Sequence, residues 1–347
     1  MKKKTLWHVF VTLTLIFTAI FSPWSVSATS ISSKADSIQK QVDTAIENGF
    51  DGIIVYVQKS NEAPELYSAG WKNRENKTPA DPKSLFKIAS ISKLYMAAAS
   101  AKLAHNHTIS LDKTLAEYLP DLAERIEYAD IITLRMMVQH RSGIPNFMDD
   151  PEYPWASPPK TNREALELVL DEPGDFEPNV SYHYSNTNYL LLGEILDNAL
   201  GYSHHEYIKK EILEPLNLKN TYSLLSEVNM DDLTSGYSVG YEPDIKYNDF
   251  IVPGGSMVAT IEDVGVFLRA LNDGSLLTKE EQAIYSSIYI YDHTGLLPGY
   301  QSIARYHKDI DTVVIQFINT SGADSWMKSE VVYSKILKIL RKKDSSK

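Results

Sequence analysis

The chain has 347 residues, 43% of them hydrophobic, with 34 Lys and Arg against 45 Asp and Glu, a net charge of −11 at pH 7, and no cysteine. A chain of that length can bury a large core, as one domain or two interleaved lobes, and so acidic a surface argues against nucleic acid as a partner. The missing thiols exclude disulfides, a lipidated N-terminal cysteine and every thiol-based mechanism, which leaves packing as the source of stability.

In chain order, Lys2-Lys3-Lys4 precede an uncharged apolar run over residues 9–21, and Val26-Ser27-Ala28 offers a small-residue cleavage site. Residues 1–28 therefore read as a secretory signal cleaved after Ala28, with a secreted or periplasmic mature protein of net charge −14, since three lysines and no acids leave. The competing reading is an uncleaved membrane anchor, for which the run is short. No later segment is apolar enough for long enough to span a membrane, so any membrane contact runs through the uncleaved leader.

Residues 33–48 carry Ile38, Val42 and Ile46 at helical spacing. Two strand-like runs follow, 53–59 and 65–71, split by a polar turn at 60–63. From about 92 to 200 the pattern is helical and loop-rich, broken at 140–145, 151–159 and 173–178, and Gly201 follows as a helix C-cap. Strand character returns at 288–292, 302–307 and 312–319. A closing helix over 326–341 sets Val331, Ile336 and Ile339 or Leu340 on one side. This order predicts an α/β (α+β) two-lobe fold, an antiparallel sheet built from both termini and flanked by helices (about 33–91 and 250–345) with an inserted all-helical lobe (about 92–249). A site is expected in the cleft between the lobes. No internal repeat is present.

Ser-x-x-Lys occurs six times, beginning at Ser37, Ser84, Ser90, Ser110, Ser157 and Ser325, so the pattern alone carries nothing. Ser90 is set apart by the apolar approach 86–89 and the Ala-rich helix that follows. At a helix start its oxygen meets free backbone N–H groups, and Lys93 falls one turn on, on the same face. Desolvated, that lysine could take the serine proton; the bland alternative is a helix cap followed by a snorkelling lysine. The other five serines read as surface or capping residues.

Tyr184-Ser185-Asn186 is the only Tyr-x-Asn among 21 tyrosines. A phenol beside a lysine can carry a proton and a carboxamide can hold a substrate amide, whereas a turn with a packed tyrosine is the plain alternative. His293-Thr294-Gly295 ends an alternating strand-like run, where the glycine would let substrate lie against the sheet edge; a structural histidine is again the plain reading. His204-His205-Glu206 lacks a third ligand, and its adjacent histidines should point to different sides. Residues 149–152 lack the glycine and ligand spacing of a calcium loop.

In this order, Ser90-Ile91-Ser92-Lys93, Tyr184-Ser185-Asn186 and His293-Thr294-Gly295 resemble the serine β-lactamase and penicillin-recognising enzymes, most closely the class C β-lactamase, DD-carboxypeptidase and esterase branch. The segments "LFKIASISK", "ITLRMMVQHRSGIP", "YHYSNTNYLLLGEIL", "ILEPLNLKNTY", "VPGGSMVATIEDVGVFLRAL" and "HTGLLPGYQS" extend the likeness over most of the chain beyond the leader. The resemblance implies Ser90 as the acylated nucleophile, Lys93 and Tyr184 as the proton-handling pair, and Asn186 as a ligand for the substrate amide. It also implies His293, Thr294 and Gly295 as the opposite wall, the Ser90 and Leu296 N–H groups as an oxyanion hole, and no metal or cofactor.

The histidine stands where most β-lactamases of the class have lysine, which looks more like carboxypeptidases and esterases. The segment between Gly255 and His293 also looks short for the family. The expected activity is an exported serine hydrolase acting through an acyl-enzyme on amide, ester or lactam carbonyls of a small molecule or a peptide, including a cell-wall peptide, in the manner of a DD-carboxypeptidase or D-amino-acid peptidase or of an esterase. The alternatives are a β-lactamase or a non-catalytic penicillin-sensing or cell-wall-binding module. If His293 holds a substrate carboxylate as imidazolium, affinity should fall as pH rises through about 6.5.

Overall fold

In the computed structural model, which describes residues 37–345 apart from 61 and 156, apolar runs from the two ends of the chain pair into one sheet. The leader assigned to residues 1–28 lies outside the described residues. Helix α1 (Ile38–Glu47), N-capped by the Ser37 side chain, leads into β1 (Gly52–Lys59), β2 (Glu65–Asn73) and the short β3 (Thr78–Pro79). The centre of the chain supplies α2 (Ser92–His105), α3 (Thr187–Leu200), α4 (Ile261–Asp273) and α5 (Lys279–Ile288). It closes with β4 (His293–Leu297), β5 (Tyr300–His307), β6 (Thr312–Ile318) and α6 (Ser325–Ser345). The six strands lie in the order β3-β2-β1-β6-β5-β4, every pair antiparallel.

Alternation along β1 divides the core. Ile53, Val55 and Val57 meet α1 and α6, while Ile54 and Tyr56 face the other way into a larger cluster shared with α2 and α4. Gly265 lets α4 come this close, because a Cβ there would sit 2.3 Å from the Tyr56 ring. Each large aliphatic side chain buried so completely contributes about 1.5–3 kcal/mol. Helix α2 is buried almost all round: Leu94, Tyr95, Met96 and Ala97 are each at most 1% exposed, the mark of a helix inside the core rather than on it. Gly201 ends α3 in the left-handed conformation, φ +73°.

Three sequence expectations need correction. Residues 288–292 do not form a strand: α5, opened by a capping box at Thr278, runs to Ile288. The link beyond is held irregular by the Tyr285 hydroxyl on the Ile290 carbonyl and by Asn272 Nδ2 on the Tyr291 carbonyl. His293 therefore begins a strand instead of ending one. On α6, Val331 is exposed and Val332 joins Trp326, Tyr333 and Ile336 in the core, which rotates the buried face by one residue. The inserted region is not all-helical: its helices are separated by long turns and irregular chain, and it also carries short strands. Thr221–Tyr222 and Phe86–Lys87 both pair with Val258–Ala259, and Tyr237–Ser238 pairs with Thr320–Ser321 beside the main sheet.

Candidate active site

A 3-10 turn, Ala89–Ile91, precedes α2 and puts Ser90 at the head of that helix. Ala89 sits at φ +51°, a left-handed conformation that a non-glycine residue holds only under constraint from its surroundings. The constraint is visible on the next strand. A Cβ on Gly295 would lie 2.3 Å from the Ile88 carbonyl oxygen, 2.2 Å from Ser302 Oγ and 3.1 Å from the Ala89 Cβ. The space beside Gly295 is thus filled by the nucleophile's own turn, which corrects the expectation that this glycine makes room for substrate.

Lys93 follows one helical turn after Ser90, with Nζ 3.2 Å from Ser90 Oγ, 2.9 Å from Asn186 Oδ1 and 2.8 Å from the Gly254 carbonyl oxygen. Burial alone pushes its pKa well below the ordinary lysine value, and among the described residues no carboxylate pairs with it. A neutral amine has two N–H bonds and one lone pair. In the neutral form, which burial favours, Asn186 Oδ1 and the Gly254 carbonyl would take both N–H bonds, since each can only accept, and the lone pair would face the Ser90 hydroxyl. The Asn186 amide is oriented by Asn146 Oδ1, which accepts from the Asn186 backbone N–H at 3.0 Å and from Asn186 Nδ2 at 3.2 Å.

Tyr184 Oη donates to Ser90 Oγ at 2.8 Å. Burial raises its pKa well above the ordinary phenol, opposed by the Ser90 hydrogen bond, so the phenol keeps its proton at neutral pH. Its ring lies over Lys93 Nζ at 4.9 Å. Ser90, Lys93, Tyr184 and Asn186, up to 96 residues apart in sequence, thus form one contiguous polar cluster inside an apolar surround.

The other wall is β4, the edge strand of the sheet. Leu297 pairs with Tyr300 across a two-residue turn, Pro298-Gly299, and the alternation of hydrogen-bonded and non-bonded pairs turns the Leu296 N–H away from β5 to the open edge. His293 is 4% exposed, and its Nδ1 faces the Thr294 carbonyl, which can only accept. Nε2 is therefore the acceptor for the Tyr289 hydroxyl at 2.9 Å. Desolvation lowers its pKa to about 3. The imidazolium considered from the sequence is absent at neutral pH, because burial disfavours the charged ring by more than the hydrogen bond to the Thr294 carbonyl favours it.

Asn146 and Gly254 carry no signal that sequence reasoning could use: a lone asparagine after a proline and one glycine of a pair acquire meaning only when the chain brings them to Asn186 and Lys93. Of the remaining candidates, His204 is held by Asp197 Oδ1 at 2.7 Å. The His204 and His205 rings lie 4.0 Å apart rather than on different sides. Ser84 is buried, not a surface residue, and so is Ser325, which accepts from Gln301 Nε2.

Comparison with known proteins adds a family. The family model described as Beta-lactamase matches residues 35–287, a span that includes Ser90, Lys93, Tyr184 and Asn186 and stops before His293. The chain is 27% identical over 190 residues to a penicillin-binding protein of Bacillus subtilis (strain 168), 54% of this chain and 41% of that one. It is 25% identical over 245 residues to Protein flp of Staphylococcus aureus (strain MW2), 67% of this chain and 48% of that one. The chain thus spans less than half the length of these curated relatives.

Among solved structures, the D-amino acid amidase from Ochrobactrum anthropi SV3 complexed with L-phenylalanine amide superposes with a TM-score of 0.78 at 22% identity, covering 88% of this chain and 98% of that one. A class C beta lactamase from Rhodobacter sphaeroides gives 0.70 at 19%, covering 87% and 100%. Both likenesses establish the mixed α/β fold with its antiparallel sheet and flanking helices.

Proposed function

The chain belongs to the Beta-lactamase family of serine hydrolases, and from that premise we propose that it hydrolyses amide or ester carbonyls through an acyl-enzyme on Ser90, in the manner of a D-amino-acid peptidase, carboxypeptidase or esterase. One observation carries the reading: Lys93 Nζ, fully buried and with no carboxylate partner among the described residues, lies 3.2 Å from Ser90 Oγ, to which Tyr184 also donates.

In the acylation step the Ser90 oxygen forms a bond to the substrate carbonyl carbon while the Ser90 proton passes to Lys93. The carbonyl π electrons move to oxygen, where the Ser90 and Leu296 N–H groups stabilise the charge. Collapse breaks the bond to the leaving nitrogen or oxygen with its electron pair, and that atom takes a proton from Tyr184, which Lys93 replaces. Water then repeats the sequence on the acyl-enzyme, freeing the acid and returning the proton to Ser90. Asn186 serves mainly to orient Lys93, since its oxygen is committed there; the open edge of β4 offers backbone groups to an extended peptide or amide substrate. No step calls for a metal or cofactor.

Labelling with a fluorophosphonate or a fluorescent penicillin, followed by peptide mapping, tests the reading. A covalent mark on Ser90 with turnover of D-alanyl amides or p-nitrophenyl esters is the expected result; no mark, or binding without turnover as in a penicillin sensor, overturns it. Export is part of the same proposal, supported by residues 1–28, and the N-terminal sequence of protein recovered outside the cell checks it.

A further inference from the structure

The turn after the short helix Leu134–Val138 sets His140 in the left-handed conformation, φ +57°. From there one residue grips both flanks of Tyr184. The His140 carbonyl accepts the His183 N–H at 3.0 Å, and its ring Nδ1 accepts the Ser185 N–H at 3.1 Å. The imidazole also lies on the Tyr184 ring, centroids 4.4 Å apart and planes 26° from parallel, with the Tyr189 ring at 5.4 Å.

Because Nδ1 accepts, the ring proton is on Nε2, which is buried and makes no hydrogen bond. Leaving a buried donor unpaired is unfavourable, and an apolar ring would fill the same space without it. What the histidine adds is the acceptor for Ser185. Burial lowers the ring's pKa well below the usual histidine value and so favours the neutral form, the only one in which Nδ1 can accept.

We propose that His140 is a positioning residue, a bracket around Tyr184 that holds the phenol on Ser90 Oγ so that its proton reaches the leaving group. The inference rests on the acyl-enzyme reading above. In the step concerned, the bond from the carbonyl carbon to the leaving atom breaks with its electrons on that atom, the Tyr184 proton goes to the same atom, and Lys93 returns a proton to the phenolate. A p-nitrophenolate leaves without needing that proton, whereas an amide nitrogen cannot leave without it.

The test compares the full chain with His140→Phe, which keeps a ring and loses the acceptor, and with His140→Asn, which keeps a short acceptor and tolerates the left-handed backbone. Each is assayed on a D-alanyl p-nitrophenyl ester and on D-alanine amide, with Tyr184→Phe as reference. Expected for His140→Phe is a loss of kcat on the amide at least about tenfold greater than on the ester, KM on both changing less than about twofold, with His140→Asn recovering part of the amide activity. Equal losses on both substrates, or a change confined to KM, would show packing alone and overturn the proposal. Should His140→Phe fail to fold, the amide-to-ester ratio of His140→Asn decides: a ratio within about threefold of the parent supports the bracket, and one as low as that of Tyr184→Phe overturns it. A parent protein that turns over neither substrate fails the acyl-enzyme reading instead.

Discussion

Two Ser-x-x-Lys pairs stand six residues apart, and their contrast shows what the motif depends on. Ser84 and Lys87 are as buried as Ser90 and Lys93, and desolvation lowers Lys87 to about 7 against the pull of Asp249 and Asp244. Yet Ser84 Oγ has no hydrogen-bond partner, and Lys87 Nζ turns to the Asn248 carbonyl at 2.6 Å. The first pair runs from a turn into the strand Phe86–Lys87, and an extended backbone sends residues i and i+3 to opposite sides. The second pair lies on a helical turn, where residues three apart share a face. Burial tunes a lysine in either place; only the helix aims it at its serine.

The largest effect expected from this contrast is on the nucleophiles. Ser90→Ala should abolish covalent labelling and lower kcat/KM by at least about 10³-fold, while Ser84→Ala leaves both unchanged; mass-spectrometric labelling and ester hydrolysis read the difference. Next come the lysines: Lys93→Met should cost about 10²–10⁴-fold in kcat. Lys87→Met should keep activity and hold or raise Tm, since a buried amine is exchanged for an apolar chain of similar length.

A third test strikes the wall against which the Ser90 turn is pressed. Gly295→Ala, whose methyl would meet the Ile88 carbonyl, should destabilise by about 1–3 kcal/mol and lower kcat by more than tenfold, seen in urea unfolding and steady-state kinetics.

The smallest effects concern pH. KM for a carboxylate-bearing substrate should stay flat from pH 5.5 to 7.5, the range in which an unburied histidine would titrate, because His293 gains a proton only near 3. Its folded pKa lies below the unfolded value of about 6.5. Below 6.5 the unfolded chain therefore binds a proton that the folded chain refuses, and the stabilisation present at neutral pH is progressively lost down to about 3. His205, lowered to about 3, and His307, lowered to about 4, act in the same sense. Urea midpoints at pH 7 and 4.5 should differ less in His293→Asn than in the parent protein.

Much of the fold is legible in sequence where a periodic pattern matches a local geometry. The spacing of Ile38, Val42 and Ile46 marks α1, strand-like apolar runs mark β1, β5 and β6, and Gly201 marks the end of α3. Legibility fails where pattern and packing part. The apparent alternation of Tyr289 and Tyr291 belongs to a link whose rings fill space around His293 and Tyr285. On α6 a run of neighbouring apolar residues allows more than one buried face, and contact with β6 and α1 selects Val332 over Val331.

The sequence by itself determined the family and the order of its three polar motifs, because each motif is short and a helical turn needs no distant partner to bring Ser90 and Lys93 together. Only the tertiary structure decided their protonation and orientation. Lys93 is pushed toward its neutral form because residues far along the chain exclude water from it, while Gly254 and Asn186 fix where it points; His293 is neutral because burial outweighs the Thr294 carbonyl, which favours the charged ring; Tyr184 is held because His140, 44 residues earlier, takes the N–H on either side. Desolvation and hydrogen-bond direction depend on what surrounds a group in space, and that is settled only when the chain has folded.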